Sequence, residues 1–152
     1  MVNRAVLLDS GPLGLVSNPN LSGPADACNL WVRRLVDVGV RVVVPEVADY
    51  EVRRELLRAG KLASVARLDA LSAALEYLPI TTTAMRRAAE LWAEARRLGR
   101  PTAGAASLDA DVILAAQALT LGADEVVVAT TNAAHLSRYV EAAVWADVTW
   151  GE

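Results

Sequence analysis

Three acidic residues lie beside apolar segments of the sequence, in places where their carboxylates could act together. Asp9 directly follows the apolar run at 4–8, Glu51 comes within two helical turns of the run at 41–45, and Asp111 precedes the apolar segment VILAAQAL. Burying an ionised carboxylate is costly unless it is paired, hydrogen-bonded or bound to a metal. One explanation for Asp9 is a turn, since Asp, Ser, Gly and Pro all favour turns; the other is a shared site at a sheet edge.

The chemistry of such a shared site follows from its charge. In open α/β sheets, ligand sites form outside the carboxyl ends of the strands, where polar residues just after strands or early in the following helices can meet. Three carboxylates repel one another unless a cation lies between them, and oxygen-only ligands suit Mg²⁺ or Mn²⁺. An ion held in this way can activate a water and stabilise charge on a phosphodiester.

Two neighbouring acids compete for these positions. Glu46 directly follows a proline, where its charge suits a helix N-terminus, so we interpret it as a cap. Glu51 lies on the same helical face as Val47 and can point inward over the sheet edge. Asp109 is about 200° from Asp111 around a helix, so the two cannot face one ion, and Asp109 is explained as first-turn helix charge.

Polar residues also stand at the end of the predicted strand at 125–131. Thr130 and Asn132 are predicted to reach the same edge of the sheet. His135 is the only histidine and lies near the predicted rim; it could act as a base, although a single histidine more often has a structural role. Further candidates for the site are Ser10, Asp109 and His135.

Apolar runs bounded by Gly and Pro alternate with segments of helical periodicity, which is typical of a mainly parallel sheet covered on both faces. The residues predicted to cap helices are Asp26, the threonines at 81–83, and Ser107. Pro79 indicates an edge strand, because it cannot donate to a central ladder. The predicted strands are 4–8, 41–45, 77–80, 125–131 and 143–148; the predicted helices are 26–38, 46–59, 61–76, one ending at 98, and 108–121; 11–24 and 99–104 are predicted loops, and 132–140 one or two helical turns.

Length and composition predict one domain, 1–152, of a soluble cytoplasmic protein. The chain has 152 residues, 54% of them hydrophobic, which is enough for a sizeable core. Its single cysteine, Cys28, excludes an internal disulfide and fits a reducing compartment. No apolar run has the form of a signal peptide or the roughly 18 residues of a membrane span. The net charge of −3 argues against binding nucleic acid by net charge alone, although fourteen of fifteen basic residues are Arg, which suits contact with phosphate.

Four segments of the sequence together resemble the PIN-domain family. They are LLDSGPL, VVPEVADYEVRREL, LDADVILAAQAL and EVVVATTN, and the D-x-I-x-A-A-x-A-L element that begins at Asp111 is the most specific of them. The order of the segments is similar to that of VapC-type toxins, over nearly the whole chain. The resemblance implies a three-layer α/β/α sandwich with a mainly parallel central sheet, and cleavage of RNA with Mg²⁺ or Mn²⁺ at a carboxylate cluster.

The resemblance also implies roles for individual residues. Asp9, Glu51 and Asp111 match the three main acids of the family and would position the metal. Thr130 and Asn132 match its T-x-D/N element and would orient the water or the phosphate. Because Asn132 brings no charge where an acid is common, we expect catalysis with one metal ion. The implied partners are an RNA substrate, a small antitoxin protein and a second copy of the chain, with the helices between 46 and 98 as a dimer face or antitoxin groove.

Two other functions stay open at this stage. A catalytically impaired PIN-like RNA-binding or regulatory module is one alternative, suggested by Asn132. A phosphatase or receiver domain, which also carries an Asp after its first strand, is another, but these need a Lys in the site. The only lysine, Lys61, follows Gly60 between two predicted helices and lies away from the strand ends. Metal-dependent cleavage of RNA separates these possibilities.

Overall fold

A five-stranded parallel sheet forms the centre of the computed structural model, which describes residues 2–99 and 105–150. The strands stand in the order β3-β2-β1-β4-β5, and each neighbouring pair is parallel. The predicted mainly parallel sheet is therefore confirmed. The strands are β1 (Arg4–Leu8), β2 (Arg41–Pro45), β3 (Glu76–Leu78), β4 (Glu125–Thr130) and β5 (Ala142–Val144).

Within the described residues, six helices cover the two faces of this sheet. On one face, Val6, Leu8 and Val44 pack against Trp31 and Leu68. On the other face, β-strand residues pack against α6, and α5 packs on the outside of α6. This arrangement is the predicted three-layer α/β/α sandwich. The helices are α1 (Ser10–Val16), α2 (Pro24–Asp37), α3 (Glu46–Arg58), α4 (Leu62–Ala74), α5 (Thr82–Arg97) and α6 (Ala105–Leu119), with 3-10 turns at Leu136–Arg138 and Trp145–Asp147.

The predicted loop at 11–24 is wrong over its first half, because α1 occupies Ser10–Val16. Its glycines and proline suggested a loop, but Pro12 lies in the first turn, where a missing N–H breaks no intrahelical bond. Asp26 is not the cap of α2; that helix has Gly23 as its N-cap and begins with Pro24. The predicted Thr81 cap is confirmed, since its side chain accepts a hydrogen bond from Ala84 N.

Two further boundaries differ from the prediction. Helix α6 begins at Ala105 rather than 108, so Ser107 lies inside it. The last strand ends at Val144 and a 3-10 turn follows, where the sequence predicted a strand over 143–148. The predicted loop at 99–104 falls, apart from Gly99, outside the described residues.

The C-terminal segment is held against α2 by a pair of tryptophans. Trp31 and Trp145 have ring centroids 5.5 Å apart with an interplanar angle of 59°. Trp31 Nε1 donates a 2.8 Å hydrogen bond to the carbonyl oxygen of Val148. An aromatic contact and a buried hydrogen bond thus tie the chain end to the helix layer.

The strand order places a crevice between the carboxyl ends of β1 and β4. The chain leaves β1 towards β2 on one side, and β4 pairs with β1 on the other. Neighbouring strands whose connections run in opposite directions leave such a crevice, where ligands of open α/β sheets bind. In the described part of the chain, no helix is long and apolar enough to span a membrane.

Candidate active site

Asp9 lies at the mouth of the crevice, where backbone and side-chain hydrogen bonds fix it. Its N–H donates to the carbonyl oxygen of Ala129 on β4 at 2.9 Å. Its Oδ1 accepts from Ser10 N at 2.7 Å, and Asp9 is thereby the N-cap of α1. Its Oδ2 accepts from the Thr130 hydroxyl at 2.8 Å. The carboxylate is therefore both the start of a helix and the first polar group at the sheet edge.

Glu51 and Asp111 lie within electrostatic reach of Asp9. Both side chains are half-buried, Glu51 on the second turn of α3 and Asp111 on α6. Burial raises the pKa of Glu51, the charges of Asp9 and Asp111 raise it further, and Arg54 lowers it. The structure thus brings together the three acids that the sequence singled out.

The pKa of Asp111 is raised by the same causes. Burial has the largest effect and the charge of Asp9 comes next, whereas His135 and Arg138 lower it. His135 is half-buried on the rim beside this acid, where the sequence placed it. Arg138 follows one 3-10 turn later and was not among the predicted site residues; its spacing of three from His135 is the signal that would have found it.

Thr130 is buried at the end of β4 and links two parts of the site. Its hydroxyl donates to Asp9 and accepts a weak 3.3 Å bond from Asn132 N. Asn132 is exposed, and its Oδ1 accepts from Ala134 N at 3.1 Å. The amide carbonyl of Asn132 is therefore engaged in a local turn, which leaves its NH₂ group for other contacts.

The two rival acids take other positions than predicted. Glu46 is the first residue of α3 and not its cap, which is Pro45; its Oε1 accepts from Ile80 N at 2.8 Å and fixes the chain after β3. Asp109 is exposed on the fifth residue of α6, so it does not lie in the first turn and the predicted helix-charge explanation is wrong. Asp109 instead lines a cleft with Glu51.

That cleft adjoins the acids and has a volume of about 280 Å³. Tyr50 and Arg54 line it beside Glu51, and the Arg54 guanidinium lies 5.1 Å from the centre of the Tyr50 ring. Asp109 and Ile113 of α6 line its other side. Glu51 is therefore reachable from solvent through this cleft, with one cation and one aromatic ring beside it.

A glycine that the sequence reading assigned to a loop allows α1 to approach the end of β4. A Cβ on Gly11 would lie 2.5 Å from Thr131 Cγ2 and 2.8 Å from Thr131 Oγ1. These distances are shorter than real Cβ contacts, so a side chain at Gly11 would displace the segment beside Thr130. The motif D-S-G at 9–11 carried this signal, because glycine is favoured where the backbone comes close to a neighbouring group, here the Thr131 side chain.

The donor set suits a divalent cation held partly through water. All the candidate ligands carry oxygen donors, which Mg²⁺ and Mn²⁺ prefer. Within 2–99 and 105–150, no three Asp, Glu, His or Cys side chains lie close enough to ligate one ion directly. Mg²⁺ usually keeps several waters and takes one or two carboxylates, so the site fits that mode of binding.

Comparison with known proteins adds a family to this geometry. The family model described as "PIN domain" matches residues 25–141, which include Glu51 and Asp111. A search of the curated proteins gives no significant match.

Several solved structures share the fold. VapBC2 from Rickettsia felis, bound to a DNA fragment from their promoter, superposes with a TM-score of 0.73 at 16% identity, covering 93% of this chain and 98% of that one. FitAcB from Neisseria gonorrhoeae superposes with a TM-score of 0.67 at 22% identity, covering 94% of this chain and 99% of that one. VapBC-1 from nontypeable Haemophilus influenzae superposes with a TM-score of 0.65 at 16% identity, covering 94% of this chain and 99% of that one.

Proposed function

Since the chain belongs to the PIN-domain family, we propose that it is a divalent-metal-dependent endoribonuclease and the toxin of a toxin–antitoxin pair. One observation carries the nuclease proposal: burial raises the pKa of both Glu51 and Asp111, and the charge of Asp9 raises both further. Carboxylates whose ionised forms are destabilised by burial and by a neighbouring acid are expected where a cation is to be bound, and family membership favours Mg²⁺ or Mn²⁺.

Each acid has a separate part in holding the metal and the substrate. Asp9 presents a carboxylate whose orientation is fixed by Ser10 N and the Thr130 hydroxyl, so it needs no rearrangement on binding. Glu51 and Asp111 contribute charge from α3 and α6, directly or through waters. When bound, the metal supplies an activated water and neutralises charge on the phosphodiester.

The residues around the acids orient the substrate. Asn132, whose carbonyl is taken by Ala134 N, offers its NH₂ group to a water or a phosphate oxygen. Arg54 and Arg138 bring positive charge to the acids from two sides. Guanidinium groups suit bidentate contact with phosphate, so these two cations would compensate the repulsion between the acids and the RNA backbone.

The toxin part of the proposal rests on the solved structures of the same fold. VapBC2 and VapBC-1 are named for two components, and VapBC2 was solved with promoter DNA. We propose that this chain likewise binds a small antitoxin and forms a homodimer. It would act in the cytoplasm, where RNA is present and the single Cys28 stays reduced.

The experiment that tests the nuclease is cleavage of a pool of structured RNAs by the purified chain, with Mn²⁺, with Mg²⁺ and with EDTA. We expect cleavage only with metal, and a loss of about 100-fold or more in Asp9→Asn, because one ligand charge is removed. Asn remains a good N-cap through its Oδ1, and its NH₂ group can donate to the Thr130 hydroxyl where Oδ2 accepted from it, so the variant should fold.

The control is Asp37→Asn, which removes the same charge from an exposed position near the end of α2. It should cleave as the wild type does. Equal cleavage by Asp9→Asn would contradict the assignment of the site. A folded wild type that binds RNA and cleaves none of the pool with either metal would instead favour the impaired RNA-binding module.

A further inference from the structure

The cleft beside Glu51 continues along the surface into a second cleft. The first, of about 280 Å³, lies between α3 and α6. The second, of about 360 Å³, lies between α5 and α6. Asp109 and Ile113 of α6 line both, so the two clefts adjoin. Together they form one groove with two lobes, which we call the α6 groove, and its first lobe includes Glu51.

Each lobe of the α6 groove has an aromatic ring in its wall, and each ring has an arginine over it. In the first lobe, the Arg54 guanidinium lies 5.1 Å from the centre of the Tyr50 ring. In the second, the Arg96 guanidinium lies 5.0 Å from the centre of the Trp92 ring. In both pairs the arginine follows the ring by four residues on one helix, the spacing at which side chains meet. The same pairing of ring and cation therefore occurs twice in one groove.

The packing of the fold does not account for these rings. Tyr50 is 60% exposed and Trp92 39% exposed. Large apolar groups that lie together at the surface are typical of binding sites. Among the described residues, neither Arg54 nor Arg96 has a partner in a hydrogen bond or a close ion pair. The α6 groove thus presents two rings and two cations that are available to a ligand.

The walls of the groove suit the bases of a nucleic acid better than its phosphates. Apart from Glu51, Arg54 and Asp109 the lining is apolar, with Ile80 in the first lobe and Val112 in the second. A phosphate would lose hydration against such walls and would be repelled by Asp109, whereas the flat face of a base would not. Asp109 can accept a hydrogen bond from the exocyclic amino group of a base, as carboxylates do from cytosine N4.

The combination of rings and arginines favours a single strand as the occupant. Aromatic side chains stack on successive bases with little sequence preference, and arginines beside them add cation–π and phosphate contacts. Because Glu51 both lines the groove and belongs to the proposed metal site, a strand at the acids has its next nucleotides at the groove. A second copy of the chain could also cover the rings, since aromatic residues are common in protein interfaces. The position beside Glu51 favours the strand.

We propose that the α6 groove binds unpaired bases of the RNA strand on one side of the scissile phosphodiester. Tyr50 stacks on a base next to the cleaved bond and Trp92 on a base further along the strand, while Arg54 and Arg96 face its phosphates. The inference rests on the proposed ribonuclease function and deepens it. The substrate is single-stranded beside the cleaved bond, because bases within a duplex do not offer their faces to side chains.

The first test separates contacts to bases from contacts to phosphates. A short fluorescent single-stranded RNA and an abasic strand of the same length are titrated with the full chain in EDTA, and anisotropy reports binding. The wild type should bind the RNA about tenfold or more tightly than the abasic strand. Tyr50→Leu should bind the RNA about fivefold more weakly and the abasic strand as the wild type does. Tyr50→Phe keeps the ring and should bind as the wild type does.

The controls for this test lie outside the groove and on its cations. Leu30→Ala truncates a half-exposed side chain on α2 and should change the binding of neither strand. Arg54→Gln should lower the slope of log K against log [salt] by about 0.7, the loss of one phosphate contact, whereas Tyr50→Leu should leave that slope unchanged. Equal weakening of both strands by Tyr50→Leu would show that the ring contacts no base and would overturn the proposal.

Trp92 provides an optical test of the second lobe. It is exposed, whereas Trp31 is buried and Trp145 and Trp150 are partly buried. Because a base stacked on indole quenches its fluorescence, the RNA should quench the wild type and the abasic strand should not. Trp92→Tyr should bind the RNA nearly as well and lose this quenching. Quenching that persists in Trp92→Tyr would place the stacked base at another tryptophan and overturn the role of Trp92.

The rival occupant, a second copy of the chain, is tested by sedimentation of the same variants. Tyr50→Leu and Trp92→Leu should have the mass of the wild type at equal concentration. A change from dimer to monomer in either variant would assign the α6 groove to the contact between copies and would overturn the RNA site.

The outcomes also separate this proposal from the ribonuclease proposal. Metal-dependent cleavage by the wild type with unaltered KM in Tyr50→Leu and Trp92→Leu would overturn the groove and leave the nuclease standing. Loss of cleavage in Asp9→Asn with a raised KM in Tyr50→Leu supports both. Base-dependent binding by a wild type that cleaves no RNA with either metal would overturn the nuclease and keep the groove as an RNA-binding surface. A wild type that does not prefer the RNA to the abasic strand overturns the groove, whatever the nuclease assay gives.

Discussion

At the scale of single residues, the site depends on how Asp9 is held. Both of its carboxylate oxygens accept hydrogen bonds, one from the helix that it caps and one from Thr130 on the neighbouring strand. The turn and the active-site explanations of Asp9 are therefore compatible. The same bonds that start α1 orient the carboxylate towards the crevice, so folding itself prepares the site.

Removing one of the repelling charges should stabilise the metal-free protein. The pKa of Glu51 is raised in the folded state, so ionising this group costs folding free energy that is absent at low pH and present once pH exceeds the folded pKa. We expect Glu51→Gln to raise the Tm by about 1–3 °C at pH 7 in EDTA, measured by thermal melting. Below about pH 4, where the carboxyl is protonated in both states, the gain should vanish.

The control for this change is Glu90→Gln, which alters an exposed surface pair with Arg87 and should change the Tm little at either pH. Saturating Mn²⁺ should stabilise the wild type more than Glu51→Gln, because binding to the native state adds to its stability. A Tm of Glu51→Gln below that of the wild type at pH 7 in EDTA would show that the charge is not destabilising.

The residues of the site could be predicted only in part. Asp9, Glu51 and Asp111 were singled out because acids beside apolar runs at sheet edges need a partner, and that rule depends on residue type alone. The local turn that engages the Asn132 carbonyl depends on backbone angles after β4 and was not foreseen. Arg54 and Arg138 were not chosen among fourteen arginines, because only the folded chain shows which ones face an acid.

At the scale of elements, the short helix α1 is the least expected part of the structure and the most important for the site. Gly11 and Gly14 and the intervening Pro12 made its sequence look like a loop. The cap by Asp9 and the packing of Leu13 and Val16 into the core stabilise a helix that its intrinsic propensity disfavours. The strands β1, β2 and β4, by contrast, could be predicted directly, because continuous apolar runs are typical of strands that are buried on both faces.

The two glycines of α1 should respond in opposite ways to the same substitution. Gly14→Ala adds a methyl group in open space within a helix and should stabilise the fold by about 0.5–1 kcal/mol. Gly11→Ala gains the same helix propensity, but the added Cβ overlaps the Thr131 side chain. This side chain is β-branched and has few rotamers to move into. We expect Gly11→Ala to lower the free energy of unfolding and the cleavage rate, as measured by urea denaturation and the RNA assay. Equal stabilisation by both would show that α1 and β4 have room to separate.

At the scale of the whole molecule, the alternation of strands and helices fixed the layers, but it did not fix the strand order. The order β3-β2-β1-β4-β5 places β1 at the centre, so Asp9 meets residues from 120 positions later in the chain. Element boundaries were less predictable, as at α6, which begins at Ala105, before the Ser107 that the sequence favoured as its cap.

The single thiol should report on how firmly the helix layer closes over the sheet. Cys28 is fully buried, its Sγ lies 3.7 Å from the carbonyl oxygen of Pro12, and burial raises its pKa to about 12. We expect DTNB at pH 8 to label the native protein at least about 100-fold more slowly than the urea-unfolded chain, because the thiolate is the reactive species. Rapid labelling of the native protein would show that α1 and α2 separate readily. Gly11→Ala, which strains α1, should label faster than Gly14→Ala.

The contact between Trp31 and Trp145 gives the fold a chiroptical signature. Two indole rings 5.5 Å apart and tilted by 59° couple their electronic transitions, so the pair contributes an exciton couplet to the circular dichroism spectrum. That band depends on the C-terminal segment docking on α2 and is independent of helix content. The tryptophan pair is thus an intrinsic optical marker for the docking of the C-terminal 3-10 turn on α2.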